Sequence, residues 1–145
     1  MCLGIMPSKT VATVYGFHEL YQLGRATING DINSFESIIT QHQASFIRLG
    51  IYLVLEQVKS TVYRNLFAKI FKLTDNNTRL NLHLFQSVFK WLKHDIELDE
   101  IECIIANLIY QNKIKGYISH EKRYLIVSKT DPFPISTIVK LPNAV

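Results

Sequence analysis

Cysteine is scarce in this sequence, and no hydrophobic run is long enough to cross a membrane. Only Cys2 and Cys103 occur among 145 residues, too few for a disulfide framework or a cysteine metal site, so a reducing compartment is expected. The longest uncharged apolar run covers residues 49–55, whereas a membrane-spanning helix needs roughly 20 residues. The first residues hold one lysine, Lys9, and lack the apolar core of a secretory signal. The sequence therefore predicts a soluble intracellular protein.

Recognisable catalytic motifs are also absent. The sequence has no glycine-rich phosphate loop, no nucleophile motif and no zinc-type spacing of histidine and glutamate. Acidic residues crowd together at 97–102, but this is a predicted helix start, where the helix dipole stabilises negative charge. The histidines are scattered over different predicted elements: His18, His42, His83, His94 and His120. We therefore predict a non-enzyme without a metal site or a cofactor.

Helical spacing of apolar residues dominates the first half of the chain. It predicts helices over 17–29, about 32–42, 44–58 and about 61–73. Gly30 is a stop signal, and Asp31 or Asn33 can cap the second helix. The third helix is apolar almost all round, which predicts burial between neighbours, and Gly50 within it would permit close packing. Short helices with short connections are typical of antiparallel pairs in a solenoid, so 1–59 is assigned to the end of a helical repeat segment.

The second half of the chain is predicted to form a helix-and-hairpin module. A polar turn at 74–79 is followed by a short strand at 79–81, helices over 82–93 and 99–112, and strands over 114–119 and 124–128. Asn81 is expected to cap the first of these helices, and Asp99 to cap the second with Glu102 completing a capping box. The aromatic residues at helical spacing, Trp91 included, are expected in the core. This order predicts a winged-helix module over 60–130 and a C-terminal tail over 131–145.

Several runs of residues resemble one known family. The run IECIIANLIYQNKIKGYISHEKRYLIVSKTDPFP, residues 101–134, closely resembles the C-terminal end of the PCI domain-containing protein 2 family. The upstream runs MCLGIMPS, FIRLGIYLVLE and TVYRNLFAKIF fit the same family in the same order. The resemblance implies a mainly α fold, the PCI domain, in which antiparallel, solenoid-like helical repeats run into a winged-helix module with a small β-hairpin. It also implies further helical pairs upstream, so the chain is expected to be a C-terminal part of a longer protein.

The same resemblance implies a cellular role. This family supplies a non-catalytic PCI scaffold subunit of the nuclear transcription-and-export complex two, which acts in messenger-RNA export. Its winged helix is expected to pair with that of a large PCI-containing scaffold subunit, and a small acidic protein of the Dss/Sem type to bind alongside. The paired winged helices would form a basic platform for RNA or DNA. A nuclear location is expected, including the nuclear pore, together with some cytoplasmic protein.

The basic residues of the hairpin are the candidate nucleic-acid contacts. The formal net charge of +4 arises entirely beyond residue 59, since the basic and acidic residues of 1–59 balance. The candidates lie on or beside the hairpin: Lys113, Lys115, Lys122, Arg123 and Lys129. They would bind phosphates without reading sequence, although lysines also protect an exposed sheet edge in proteins that bind no nucleic acid. The helix over 99–112 offers no arginine to base edges, which argues against sequence-specific binding in the major groove.

The same hairpin is a candidate for docking a protein partner. An exposed strand edge can pair with an edge of another protein, and two winged helices can lie side by side. The residues assigned to this contact are Tyr117, Ser119, Tyr124 and Ile126. Two alternatives stay open: a winged-helix nucleic-acid binder that acts alone, and a PCI subunit of another assembly such as the proteasome lid, the signalosome or the translation initiation machinery.

Overall fold

The computed structural model describes residues 18–134, which divide into two compact units. The described part of the first unit covers 18–66, and that of the second covers 67–134. The predictions made for residues 1–17 and 135–145 lie outside the described residues. The mostly helical content and the small antiparallel sheet confirm the predicted fold class.

Helices build the first unit. They are α1 (His18–Asn29), α2 (Ile32–Gln41), α3 (Gln43–Arg48) and the first part of α4 (Tyr52–Leu73). The core of this unit consists of buried apolar side chains at helical spacing: Leu23, Ala26, Ile32, Phe35, Ile39, Phe46, Leu55, Val58, Val62 and Leu66. The Asp31 carboxylate caps α2 by accepting a 3.1 Å hydrogen bond from the Ser34 backbone N–H, as predicted.

Gly30 ends α1 in a left-handed conformation and allows a close helix contact. Its φ of +64° and the bond from the Asp31 N–H to the Ala26 carbonyl, 2.9 Å long, are those of a Schellman motif. A Cβ on Gly30 would lie 2.6 Å from the Leu66 nitrogen, so only glycine fits beside α4. The Asn65 side chain also donates a 2.6 Å hydrogen bond to the Thr27 carbonyl. The end of α1 is therefore held directly against the backbone of α4.

The single helix predicted over 44–58 is wrong. Gly50, with a φ of +73°, ends α3, and the Ile51 N–H bonds back to the Phe46 carbonyl at 3.1 Å. The backbone adopts the left-handed conformation at Gly50, which glycine reaches at low cost because it has no Cβ atom. Helix α4 then runs on to Leu73 through the break expected near residue 60. A Cβ on Gly50 would meet nothing within 4 Å, so this glycine serves a turn and not helix packing.

The predicted burial of that segment is also only partly correct. Phe46, Leu55 and Val58 are buried, because they face the other helices of the unit. Ile51 is half-buried, and four further apolar side chains of the segment are exposed: Ile47, Leu49, Leu53 and Val54. A helical wheel that is apolar all round predicts burial on every side, but the described part of this unit covers only one side.

The second unit has the predicted winged-helix order. After the end of α4 come β1 (Arg79–Asn81), α5 (Leu82–Trp91), α6 (Leu98–Tyr110), β2 (Gly116–Ser119) and β3 (Tyr124–Val127). The three strands form an antiparallel sheet in the order β1-β3-β2. The Asn81 side chain caps α5 by accepting a 2.9 Å hydrogen bond from the His83 N–H, as predicted.

Aromatic packing forms the centre of the second unit. The Phe67 ring packs edge-on against Phe85, with centroids 4.9 Å apart, and against Phe89 at 6.1 Å. The ring centroids of Phe133 and Phe71 are 5.5 Å apart, and Phe133 is buried. Phe133 therefore belongs to this core. Trp91 was expected in the core as well, but it is 82% exposed, because it lies on the same exposed face of α5 as His83 and Ser87.

The predicted cap of α6 is wrong. The N-cap is Glu97, and its side chain makes no capping hydrogen bond, so Asp99 lies inside the first turn. The side chains of Asp99 and Glu102 both accept hydrogen bonds from Arg123 instead. Because the helix begins before Asp99, that carboxylate is not at the cap position and is available for the long-range pair with Arg123.

Candidate protein-docking and nucleic-acid surface

The strand register places all four predicted partner-binding residues on one face of the sheet. Residues directly opposite each other in antiparallel strands point to the same side. Tyr117 lies opposite Ile126, and Ser119 lies opposite Tyr124. The third strand adds Arg79 beside Ile126 and Asn81 beside Tyr124. We call this set the outer sheet face: Arg79, Asn81, Tyr117, Ser119, Tyr124 and Ile126. The alternate residues, such as Leu80 and Leu125, are buried in the core.

The outer sheet face combines aromatic, aliphatic and arginine side chains. Tyr117 is 63% exposed, and the Arg79 guanidinium lies 4.5 Å from the centroid of the Tyr124 ring. This cation–π contact holds both side chains in place on the surface. Tyrosine and arginine are among the residue types that contribute most binding energy at protein interfaces. The face therefore has the composition of a protein-docking surface.

The sheet order decides which backbone could pair with a partner strand. Strand β3 lies between β1 and β2 and is paired on both sides, so Tyr124 and Ile126 can contribute side chains but no free strand edge. Among the described residues strand β2 pairs with β3 alone, and Tyr117 lies in β2. The edge pairing expected of the hairpin is therefore available at β2.

Lys113 is buried and therefore cannot contact a phosphate at the surface. Only 8% of the residue is exposed, and burial lowers the pKa of its ammonium group below the ordinary value. The reason lies in the end of α6, where Asn112 adopts a φ of +57° and the Lys113 N–H bonds back to the Leu108 carbonyl at 2.9 Å. This Schellman motif turns the chain inward before the hairpin begins. The prediction of Lys113 as a surface cation is therefore wrong.

Arg123 is committed to an ion-pair cluster within the unit. Its guanidinium donates a 2.9 Å hydrogen bond to a Glu102 carboxylate oxygen and also forms an ion pair with Asp99. The hydrogen bond with Asp99 raises the pKa of Arg123 above its ordinary value, so the group stays charged. His120 Nδ1 lies 2.7 Å from the other Glu102 oxygen. Because two carboxylates face this guanidinium, Arg123 is a poorer phosphate contact than its sequence position suggested.

The other three predicted cations remain at the surface. Lys115 lies 3.9 Å from Asp131, with 55% of its side chain exposed, which is a weak and solvated pair. Lys122 and Lys129 are exposed, and within residues 18–134 neither forms an ion pair. These three lysines lie in the segments around β2 and β3; Lys122 and Lys129 could contact phosphates without breaking an internal ion pair, and Lys115 would give up only its weak pair with Asp131.

The described residues form neither a membrane-spanning helix nor a metal-binding cluster. In the described part of the chain, no helix combines the length and the hydropathy needed to span a bilayer. Residues 18–134 also contain no group of three or more histidine, cysteine or acidic side chains arranged to hold a metal ion.

Comparison with known proteins identifies the fold. The sequence model of the PCI domain matches residues 39–129, which is more than half of the chain. The chain belongs to the PCI domain family. It is 41% identical over 140 residues to PCI domain-containing protein 2 of Xenopus laevis, which covers 95% of this chain and 35% of that protein. A homologue of that protein in Drosophila melanogaster is 43% identical over 92% of this chain and 34% of the relative.

A more distant relative extends the comparison. The protein CSN12 homolog of Yarrowia lipolytica is 31% identical over 89% of this chain and 33% of that protein. The chain spans about a third of the length of the curated relatives that it matches. These matches confirm the resemblance to the PCI domain-containing protein 2 family. PCI domain proteins are generally non-catalytic scaffold subunits of complexes that contain other PCI proteins.

Sequence reasoning missed two surface residues of this PCI domain. Arg79 was placed in a strand, but its position beside Ile126 depends on a pairing between residues far apart in sequence. Trp91 was assigned to the core from its helical spacing, yet it is exposed. The signal that could have revealed it is the helical spacing of Trp91 with the polar residues His83 and Ser87, which places it on the polar face of the helix.

Proposed function

We propose that this chain is a non-catalytic PCI scaffold subunit of the nuclear messenger-RNA export machinery. It docks a large PCI-containing scaffold partner through the winged-helix unit, and a small acidic protein of the Dss/Sem type binds alongside. The outer sheet face supports the docking role, because it assembles Tyr117, Tyr124, Ile126 and Arg79 from three strands, beside the edge of β2 that no other strand of residues 18–134 pairs with. The similarity to PCI domain-containing protein 2 supports the export role.

The proposal includes a contribution to nucleic-acid binding. The exposed lysines around the hairpin, Lys115, Lys122 and Lys129, supply positive charge without a base-reading helix. Such contacts bind the phosphates of RNA or DNA in a salt-dependent and sequence-independent way. The subunit is accordingly proposed to act in the nucleus, including the nuclear pore, with a cytoplasmic fraction.

A second candidate is a PCI subunit of a different assembly. The similarity to the protein CSN12 homolog favours it, because that relative covers nearly the same part of the chain. Both candidates require a PCI partner and differ only in which complex the subunit joins. A winged-helix protein that binds nucleic acid alone would need no such partner.

The test is affinity purification of the tagged protein from its own cells, followed by mass spectrometry. Tyr117→Ala combined with Ile126→Arg is expected to lose the PCI partner, because it removes the exposed aromatic and places a charge on the outer sheet face. Tyr110→Ala is the matched control, since Tyr110 is 88% exposed and lies outside the sheet. Recovery of a non-export PCI assembly would favour the second candidate. Retention of the partner by the double variant would contradict docking at this face.

The nucleic-acid contribution is tested by binding of a single-stranded oligonucleotide across a salt series. Lys122→Glu with Lys129→Glu is expected to weaken binding and to reduce the salt slope by about 1.4, for two lost contacts to a single strand. Arg25→Glu with Arg48→Glu changes the net charge equally at exposed positions of the first unit and serves as the control. An equal loss in both variants would show a general charge effect and not a surface on the hairpin.

A further inference from the structure

Trp91 is a large aromatic side chain that lies almost fully exposed between Lys90 and Lys93. It is the last residue of α5, it is 82% exposed, and it is the single tryptophan of the sequence. Within residues 18–134 it has no ring contact and no hydrogen bond through its side chain. The indole therefore presents an uncovered aromatic face within the described residues, on which a planar group can stack.

The end of α5 has a defined backbone geometry that presents Trp91 between two lysines. The Lys93 N–H bonds to the Lys90 carbonyl at 3.0 Å, and the His94 N–H bonds to the Phe89 carbonyl at 2.8 Å. Together with the Lys93 φ of +64°, these bonds form a Schellman motif. Glycine is the usual residue at that left-handed position, yet a lysine occupies it here. The motif fixes the backbone on both sides of the indole.

The charge around Trp91 is positive along the helix. The exposed residues His83, Ser87, Lys90 and Trp91 recur at helical spacing, so they lie along one face of α5. Helix α5 contains no acidic residue. Lys90 and Lys93 form no ion pair within residues 18–134, and the next acids along the chain, Asp95 and Glu97, do not pair with them.

From this arrangement we infer that Trp91, Lys90 and Lys93 form a stacking site for single-stranded nucleic acid. The indole stacks on one base, and the two ammonium groups contact the phosphates on either side of it. A single strand suits the site because each unit combines a planar base with a phosphate, and every base offers a face to stack on. The inference rests on the proposed nucleic-acid binding and locates a contact separate from the hairpin lysines.

The single tryptophan allows a direct experiment. Trp91 fluorescence of the 145-residue chain is recorded during titration with oligo(dT), with an abasic strand of equal length and with poly-L-glutamate. Saturable quenching by oligo(dT), with a much smaller change for the abasic strand, is expected because only bases stack on the indole. Polyglutamate supplies negative charge without any base and tests the alternative of an acidic protein segment.

Variants separate stacking from charge. Trp91→Ala is expected to weaken oligo(dT) binding roughly 5- to 150-fold, as the loss of one stacked base does, and Trp91→Phe to retain most of it. Lys90→Glu with Lys93→Glu is expected to abolish the quenching and to make the salt dependence of the remaining binding shallower, because fewer phosphates are neutralised. Because Trp91 is exposed, these variants should keep the wild-type circular dichroism spectrum.

Each outcome decides one of the two claims. Binding that depends on Lys122 and Lys129 without any change in Trp91 fluorescence overturns the stacking site and keeps the proposed hairpin surface. Quenching that persists with unchanged affinity in the Lys122/Lys129 variant supports the stacking site and overturns the hairpin surface. Equal quenching by polyglutamate overturns the nucleic-acid ligand in favour of an acidic protein. The absence of any oligonucleotide binding overturns both.

Discussion

Arg123 Nη1 donates a 2.9 Å hydrogen bond to Glu102 Oε2 and so joins the turn between β2 and β3 to helix α6. Asp99 accepts from the same nitrogen, and His120 contacts the second Glu102 oxygen at 2.7 Å. The turn of the hairpin is therefore held by charges of its own unit. The acidic residues at the start of α6, which looked like a helix-terminus feature in the sequence, are the partners of the hairpin turn.

The first prediction concerns this cluster. Arg123→Glu is expected to lower the melting temperature, because it places a third carboxylate beside Asp99 and Glu102. Lys122→Glu, next to it in sequence but exposed, is expected to leave the melting temperature nearly unchanged. Thermal unfolding by circular dichroism at low and high salt checks both. Equal melting temperatures for the two variants would contradict the role of the cluster. Nucleic-acid experiments should therefore vary Lys122 without Arg123.

The second prediction is a pH dependence at Lys113. Burial lowers the pKa of Lys113 in the folded protein below the ordinary value of 10.5. Between the two pKa values the unfolded chain binds more protons, so stability rises with pH there. The stability of the wild type relative to Lys113→Met should therefore increase as the pH rises from neutral toward 10. Urea unfolding at several pH values measures it.

The control for the second prediction is Lys122→Met, which removes one positive charge at an exposed position. It accounts for the change in net charge that any lysine substitution causes. A relative stability of the Lys113→Met variant that stays level or moves in the opposite direction with pH would contradict burial of the Lys113 ammonium.

The third prediction compares Gly30 and Gly50, which both have a positive φ. Gly50→Ala is expected to cost about 1–2 kcal/mol, the strain of a left-handed residue in open space. Gly30→Ala should cost about 2–5 kcal/mol, because its methyl group also meets the α4 backbone at Leu66. Denaturant unfolding measures both values. A cost for Gly30→Ala no larger than that for Gly50→Ala would show that α1 does not contact α4 this closely.

The fourth prediction concerns the aromatic core of the second unit. Phe67 is fully buried against Phe85 and Phe89, so Phe67→Ala is expected to lower the free energy of unfolding by about 3–5 kcal/mol. Trp91→Ala, which removes a larger but exposed side chain, should change it by less than about 0.5 kcal/mol. Denaturant unfolding measures both changes in the free energy of unfolding, provided that the m-value is the same in the variants. A large loss on removing Trp91 would mean that the indole is buried.

Local signals in the sequence predicted the elements of this fold well. The cap at Asp31, the stop at Gly30 and the cap at Asn81 all act through atoms within a few residues, so residue type and spacing are sufficient to indicate them. The order of helix, strand, two helices and hairpin also follows from local periodicity. Gly50 was misinterpreted because glycine at the same spacing can pack helices or end one, and only the backbone φ distinguishes these roles.

By itself, then, the sequence determined the strands, the helices other than the break at Gly50 and the continuous α4, the winged-helix order and the PCI family. Each of these depends on neighbours along the chain or on a run of matching residues. The tertiary structure alone decided which side chains are available on the surface. Burial of Lys113, exposure of Trp91 and the pairing of Arg123 with Glu102 each depend on which distant segments meet. Spacing along the chain indicates which residues share a face, but only packing decides whether that face is covered.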